Sequence, residues 1–213
     1  MIVTIDGPAG AGKSTVARQL AARLGFDFLD TGAMYRAATL ICLRREVDLA
    51  NADAVADCAC SVRLEFHGDR ILADGQDLST EIRSTEVTSQ SQFIAGNPRV
   101  RTHMVERQRE LAGRSNVVTE GRDQGTVAFP QAEFKFFVTA SPEVRARRRQ
   151  GDLQARGEQV SLQDLITQQT ERDERDATRA VGPLKPATDA VVIDTSELPL
   201  PEVVALMEAR VRG

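Results

Sequence analysis

The chain has 213 residues, 41% of them apolar and 27% charged, the balance of a folded globular protein large enough for one domain with insertions. Its 27 basic residues stand against 31 acidic ones, a net charge of −4, which leaves no electrostatic footprint for a nucleic acid polymer. No run is apolar enough to cross a bilayer, no secretory leader pattern is present, and Cys42, Cys58 and Cys60 lack metal or redox spacing. The expectation is a cytoplasmic monomer with free thiols and no membrane partner.

The β-branched run at residues 2–5 reads as a buried strand, broken by Asp6 and Gly7. Gly7, Pro8, Ala9, Gly10, Ala11, Gly12, Lys13 and Ser14 then fit G-x-x-x-x-G-K-[ST] at every fixed position, with Thr15 following. Val16, Leu20 and Leu24 fall four apart with Ala17 and Ala21 beside them, the apolar face of a helix that Gly25 stops. Strand, glycine turn and helix in that order aim backbone N–H groups and a helix N-terminus at an anion. Lys13 is placed to reach the β- and γ-phosphates of a nucleotide, and Ser14 to offer its hydroxyl to Mg²⁺.

Residues 26–30 read as a second short strand, with Thr31 as the N-cap of the helix that follows and Arg36 in its first turns. Alternation through Val62, Leu64 and Phe66, a turn at 67–69 and a return at 71–73 predict a hairpin. Ser84 caps a helix to about Ala95, and Asn97 with Pro98 opens another that ends at Gly113. The block 61–100 reads as an insertion into an α/β scheme carried by 1–60 and 101–213. Residues 116–120 and 134–139 are further strands, and Ser141 with Pro142 opens a helix carrying Arg145, Arg147, Arg148 and Arg149. Residues 151–157 read as polar and loose, Ser161 caps the next helix, and 190–194 is the last strand. Five apolar strands separated by helices predict an α/β fold with a five-stranded parallel sheet and helices on both faces.

Three constellations carry possible chemistry. On the helix after Ser161, Arg172, Arg175, Asp176 and Arg179 share one face, which serves either as a solvated Arg–Asp face or as bidentate phosphate recognition. Glu120-Gly121-Arg122-Asp123 sits at the carboxyl end of a strand, where ligands of open sheets bind, and Glu120 can serve Mg²⁺ directly or through its water. Arg36 stands near a helix N-terminus, as a surface arginine or as an anion contact. No nucleophile–base pair is visible, and His67 and His103 read as surface or structural. An acceptor that is itself a phosphate needs no base, because its oxygen is already anionic. A switch GTPase is disfavoured, since the chain has no N-K-x-D sequence.

Taken together, residues 4–15, 29–37, 120–132, 171–184 and 189–196 closely resemble bacterial cytidylate kinases, and residues 81–101 resemble that family's insertion for binding a nucleoside monophosphate. The resemblance implies a P-loop kinase fold with that insertion and a mobile lid at about 146–160. It implies transfer from ATP, with Mg²⁺, to CMP or dCMP; a kinase of the same build for UMP is the near alternative. It assigns Thr31, Arg101, Asp123 and Arg179 to the cytosine base, Ser91, Arg172 and Asp176 to the sugar, and Arg36 and Arg122 to the acceptor phosphate. Arg148 and Arg175 would close over the transferring group with Lys13. Gln124 stands where the family usually has an apolar residue, Gly182 where Ala or Ser is usual, and Glu120 where Asp is frequent.

Overall fold

The computed structural model describes residues 1–113 and 115–213. In chain order the elements are β1 (Ile2–Asp6), α1 (Lys13–Leu24), β2 (Asp27–Asp30), α2 (Thr31–Arg44) and α3 (Ala52–Ser61), then β3 (Leu64–His67), β4 (Arg70–Ala73) and β5 (Gln76–Asp77). A single 3₁₀ turn (Glu81–Arg83) precedes α4 (Thr85–Ala95), α5 (Pro98–Ala112) and β6 (Val117–Gly121). A π-turn (Gln124–Ala128), β7 (Phe134–Thr139), α6 (Pro142–Gln154), α7 (Leu162–Thr178), β8 (Val191–Asp194) and α8 (Leu200–Arg212) complete the chain.

The expected five-stranded α/β sheet is present, in the order β2-β6-β1-β7-β8. Strand β1 runs parallel to both β6 and β7, and β7 runs parallel to β8. Two compact units divide the chain: Met1–Phe26 with Asn116–Gly213, and Asp27–Ser115.

In the first unit, β1 is central because Val3, Thr4, Ile5 and Asp6 are all buried, as a strand covered on both faces requires. Phe136 and Val138 of β7 join that core. Helix α1 buries Val16, Ala17, Leu20 and Ala21, the face read from its spacing, and Gly25 ends it in a left-handed cap. Helix α8 adds Val203, Val204, Met207 and Val211 at helical spacing.

The second unit holds the expected hairpin, β3 against β4, extended by the two-residue strand β5. Its core is built by Met34, Ala37 and Ala38 of α2, Val87 and Ile94 of α4, and Val100 and Met104 of α5. Ser84 and Asn97 cap α4 and α5 as their positions predict. The unit contains all of 61–100, and its limits lie at 27 and 115.

Three local expectations are corrected. The N-cap of α2 is Asp30, whose carboxylate accepts from the Ala33 amide at 2.7 Å; Thr31 is the first helical residue, since a carboxylate one position earlier competes for the same N–H. Residues 151–154 continue α6, and only the turn ending at Gly157, with φ +80°, is non-helical. Arg179 is not helical: it is the C-cap just beyond α7, in extended backbone, although its guanidinium still stands 3.8 Å from Asp176.

Phe136 is 1% exposed in the sheet core. Phe136→Ala is expected to cost about 3–5 kcal/mol of stability, read from urea denaturation; a loss below about 1 kcal/mol would contradict this packing.

Candidate active site

The glycine-rich loop lies between β1 and α1, and its backbone is constrained from the start. Gly7 has φ +147°, and a Cβ built there would stand 1.9 Å from the Val138 carbonyl oxygen; no side chain fits that approach. Gly12, at φ 88°, is the N-cap of α1 and brings no side-chain acceptor to it. The first amides of α1 are thereby left to an external anion.

Lys13 is 5% exposed, and its Nζ donates to the Pro8 carbonyl at 2.7 Å. Burial, and then the neighbouring Arg122 guanidinium, push its ammonium from an ordinary 10.5 down to about 7, while Glu120 pulls the other way. Ser14 Oγ donates to Glu120 Oε1 at 2.7 Å. The two residues read as metal donors therefore meet, although 106 positions separate them. One hydroxyl and one carboxylate form the sparse, hard oxygen set that suits Mg²⁺, an ion that keeps several waters and takes the rest of its shell from phosphates.

The back of the loop is tied to residues that motif reasoning passed over. Arg145, 4% exposed, donates from Nη1 to the Ala9 carbonyl at 3.0 Å and from Nε to the Ala140 carbonyl at 3.0 Å. Thr195 Oγ1 reaches the Ala11 carbonyl at 3.2 Å. Arg148 donates to both the hydroxyl and the carbonyl of Thr195, at 3.1 and 2.6 Å. It lies on the loop's side, since a Cβ at Gly12 would come within 3.8 Å of its Nη1. Asp6 takes the amides of Gln124 and Gly125 on its two carboxylate oxygens, at 2.8 and 2.7 Å. Burial raises its carboxyl to about 6 despite those bonds. The available signal was position: Asp6 and Thr195 each adjoin the carboxyl end of a strand, where open sheets place ligands.

Beyond β6 a charged network forms within the first unit. Arg122 Nε meets Asp176 Oδ2 at 2.9 Å, Arg179 Nη1 stands 3.8 Å from Asp176 Oδ1, and Arg179 Nη2 stands 3.5 Å from Asp123 Oδ1. Burial opposes charge on Asp176, but Arg122, Arg172 and Arg179 outweigh it and hold its carboxyl below the usual range. Arg172 is half-buried and Arg175 is exposed, so of the four-residue stripe on α7 only part joins the network. Gln124 is buried, and its Oε1 accepts from the buried Thr119 hydroxyl at 2.9 Å. Gly182 turns at φ +61°, and its carbonyl accepts from Arg179 Nε.

The remaining candidates belong to the second unit. Asp30, besides capping α2, stands 3.4 Å from Arg36 Nη2, and Arg36 Nε is buried with no hydrogen-bond partner. A Cβ at Gly32 would press to 3.0 Å on Arg36 Nη1, so the glycine leaves room for the guanidinium. Thr31 is 2% exposed and Arg101 2% exposed; Arg101 donates to the Ala95 carbonyl at 3.3 Å and lies over the Tyr35 ring at 5.8 Å. Ser91 Oγ donates to the Thr88 carbonyl at 2.8 Å.

A family model described as cytidylate kinase matches residues 3–212. The chain belongs to the cytidylate kinase family. It is 50% identical over 214 residues to the cytidylate kinase of Pelotomaculum thermopropionicum, covering 98% of this chain and 95% of that one. To the cytidylate kinase of Rhodopirellula baltica it is 47% identical over 203 residues, covering 95% and 89%. A crystal structure of an uncharacterized protein from Eubacterium ventriosum shares the fold, with TM-score 0.54 at 11% identity over 100% of this chain and 99% of that one. As a member of the cytidylate kinase family, the protein is an enzyme, a kinase with a nucleotide-binding P-loop.

Two measurements test the site as described. At pH 8 a lysine with a pKa of about 7 is mostly neutral, and a polyphosphate beside it restores the charge. Binding of inorganic tripolyphosphate should take up a proton and weaken as pH rises from about 7 toward 10.5. Calorimetry in buffers of different ionisation enthalpy reads this, and buffer-independent heats would refute it. Separately, Gln124→Met leaves the Thr119 hydroxyl buried without its acceptor and should cost about 1–3 kcal/mol; adding Thr119→Val should recover most of that in a denaturation series.

Proposed function

We propose that this kinase transfers the γ-phosphate of ATP to CMP or dCMP, giving ADP with CDP or dCDP. Family membership across almost the whole chain carries the reading. The loop with Lys13, the Ser14–Glu120 pair and the Arg122–Asp176 network supports it. The core of 1–60 and 101–213 binds ATP and supplies most of the acceptor contacts, to which the 61–100 insertion adds Ser91, and the enzyme works as a cytoplasmic monomer. Among the described residues no helix is long and apolar enough to cross a membrane.

Residues 7–15 hold the ATP phosphates through backbone amides, and Lys13 swings from the Pro8 carbonyl to the transferring end. Ser14 and Glu120 hold Mg²⁺, which supplies charge neutralisation on the phosphates when bound. Arg36 and Arg122 clamp the acceptor phosphate; the unpartnered Nε of Arg36 is a donor waiting for an anion. Thr31, Arg101, Asp123 and Arg179 read the cytosine ring, whose exocyclic amine and O2 and N3 acceptors match carboxylate, hydroxyl and guanidinium. Ser91, Arg172 and Asp176 take the sugar. Arg148 and the exposed Arg175 move with a lid at about 146–160 that excludes water, so that phosphate passes to CMP instead of to solvent. No base is required, because the attacking oxygen is already anionic.

One coupled assay decides between acceptors. ADP formation from ATP and Mg²⁺ is expected with CMP and dCMP, and not with UMP, dTMP, AMP or no acceptor. Asp123→Ala should raise the KM for CMP by about tenfold or more while leaving that for ATP within a small factor. Turnover led by UMP would move the base-pocket assignments, and acceptor-independent hydrolysis would overturn the kinase reading for CMP.

A further inference from the structure

The glycine loop can present amides to an anion only if its peptide planes are turned the right way. A trans peptide carries its C=O and the following N–H on opposite sides, and no peptide in the described chain is cis. Fixing the Ala9 carbonyl toward the protein therefore aims the Gly10 amide away from it. Gly10 has φ +78°, and glycine tolerates either sign of φ, so the 9–10 peptide is the kind of plane that flips cheaply unless it is held.

It is held by one side chain. Arg145, in the first turn of α6, bonds the Ala9 carbonyl through Nη1 at 3.0 Å. The same Nη1 stands 2.6 Å from Asp173 Oδ2 on α7, and Nε is taken by the Ala140 carbonyl. The guanidinium is thus a three-point bracket between the end of β7, the loop and α7. The packing leaves no slack: a Cβ at Gly10 would lie 3.1 Å from Arg145 Cβ and 3.2 Å from Gln169 Nε2, and Gln169 itself donates to the Arg145 carbonyl at 3.3 Å. Asp173 Oδ1 is buried with no hydrogen-bond partner, so the close contact of this carboxylate is the one its Oδ2 makes with the arginine.

We propose that Arg145 is a positioning residue for the phosphate loop, with Asp173 as its counter-ion: together they orient the 9–10 peptide so that the Gly10 amide faces the bound triphosphate. A lost bracket frees the plane to turn a carbonyl dipole toward the anion, which weakens ATP selectively. The proposal rests on the ATP-dependent reading above, and its test separates the two.

The experiment is calorimetric titration of ATP and, separately, of CMP into the full-length wild type and the variants Arg145→Ala, Arg145→Lys and Asp173→Asn, each checked for folding by circular dichroism and Tm. Asp173→Asn is nearly isosteric and keeps the folded protein available if Arg145→Ala does not fold. Expected is ATP binding weakened about tenfold in Asp173→Asn and more in Arg145→Ala, CMP binding within about twofold, and Arg145→Lys intermediate because an ammonium still reaches one carbonyl and one carboxylate. The pair Arg145→Lys with Asp173→Asn should lose less than the sum of its parts. A lowered Tm with ATP affinity within about twofold of wild type, or equal weakening of ATP and CMP, would overturn the proposal. If the wild type binds ATP but does not phosphorylate CMP, the acceptor reading fails while the ATP ratios still decide the role of Arg145.

Discussion

The direction of a few peptide planes governs what this protein can do at the end of β1. Two carbonyl anchors brace the loop from the protein side: Arg145 on Ala9 and Thr195 on Ala11. Each holds an oxygen inward and so points the next amide outward. Gly7 makes this possible by meeting the Val138 carbonyl where a side chain would collide. Fixed dipoles of this kind cost no reorganisation when an anion arrives, which is what electrostatic catalysis of phosphoryl transfer requires.

Charge is arranged on the same principle of commitment before binding. Asp176 is shared by Arg122 and Arg179, and Arg179 in turn approaches Asp123. Such a network keeps guanidinium groups oriented while partly buried, and it leaves donors able to exchange a carboxylate for a phosphate. Asp6 links this region to the loop, because its two oxygens hold the amides that follow Asp123. Loop and charged turn are thereby hydrogen-bonded to one another within the first unit.

Much of this was legible along the chain. The P-loop, the Gly25 stop, the caps at Ser84, Asn97, Ser141 and Ser161, and the five strands are local signals, and each was found where its chemistry placed it. The errors were local competitions. Asp30 took the capping role from Thr31 because a carboxylate one residue earlier reaches the same amide, and Gly151 did not break α6 because Leu153, packed with Leu165, repays the helical turn. Arg145 and Asp173 were invisible as site residues, since an arginine in a basic helix and an aspartate among arginines match no motif, whereas Thr195 was marked only by its place after a strand.

What the amino-acid sequence alone determined was the chemistry available: a nucleotide-binding P-loop with its lysine and serine, and arginine-rich late helices, together with the family they belong to. These follow from spacing within a helix turn or a glycine turn, where neighbours in sequence are neighbours in space. Tertiary structure decided which groups meet across 106 positions, as Ser14 and Glu120 do, and which side chains brace the loop from 136 positions away, as Arg145 does. Those pairings depend on the parallel order β6-β1-β7-β8, which gathers the carboxyl ends of distant strands at one edge of the sheet.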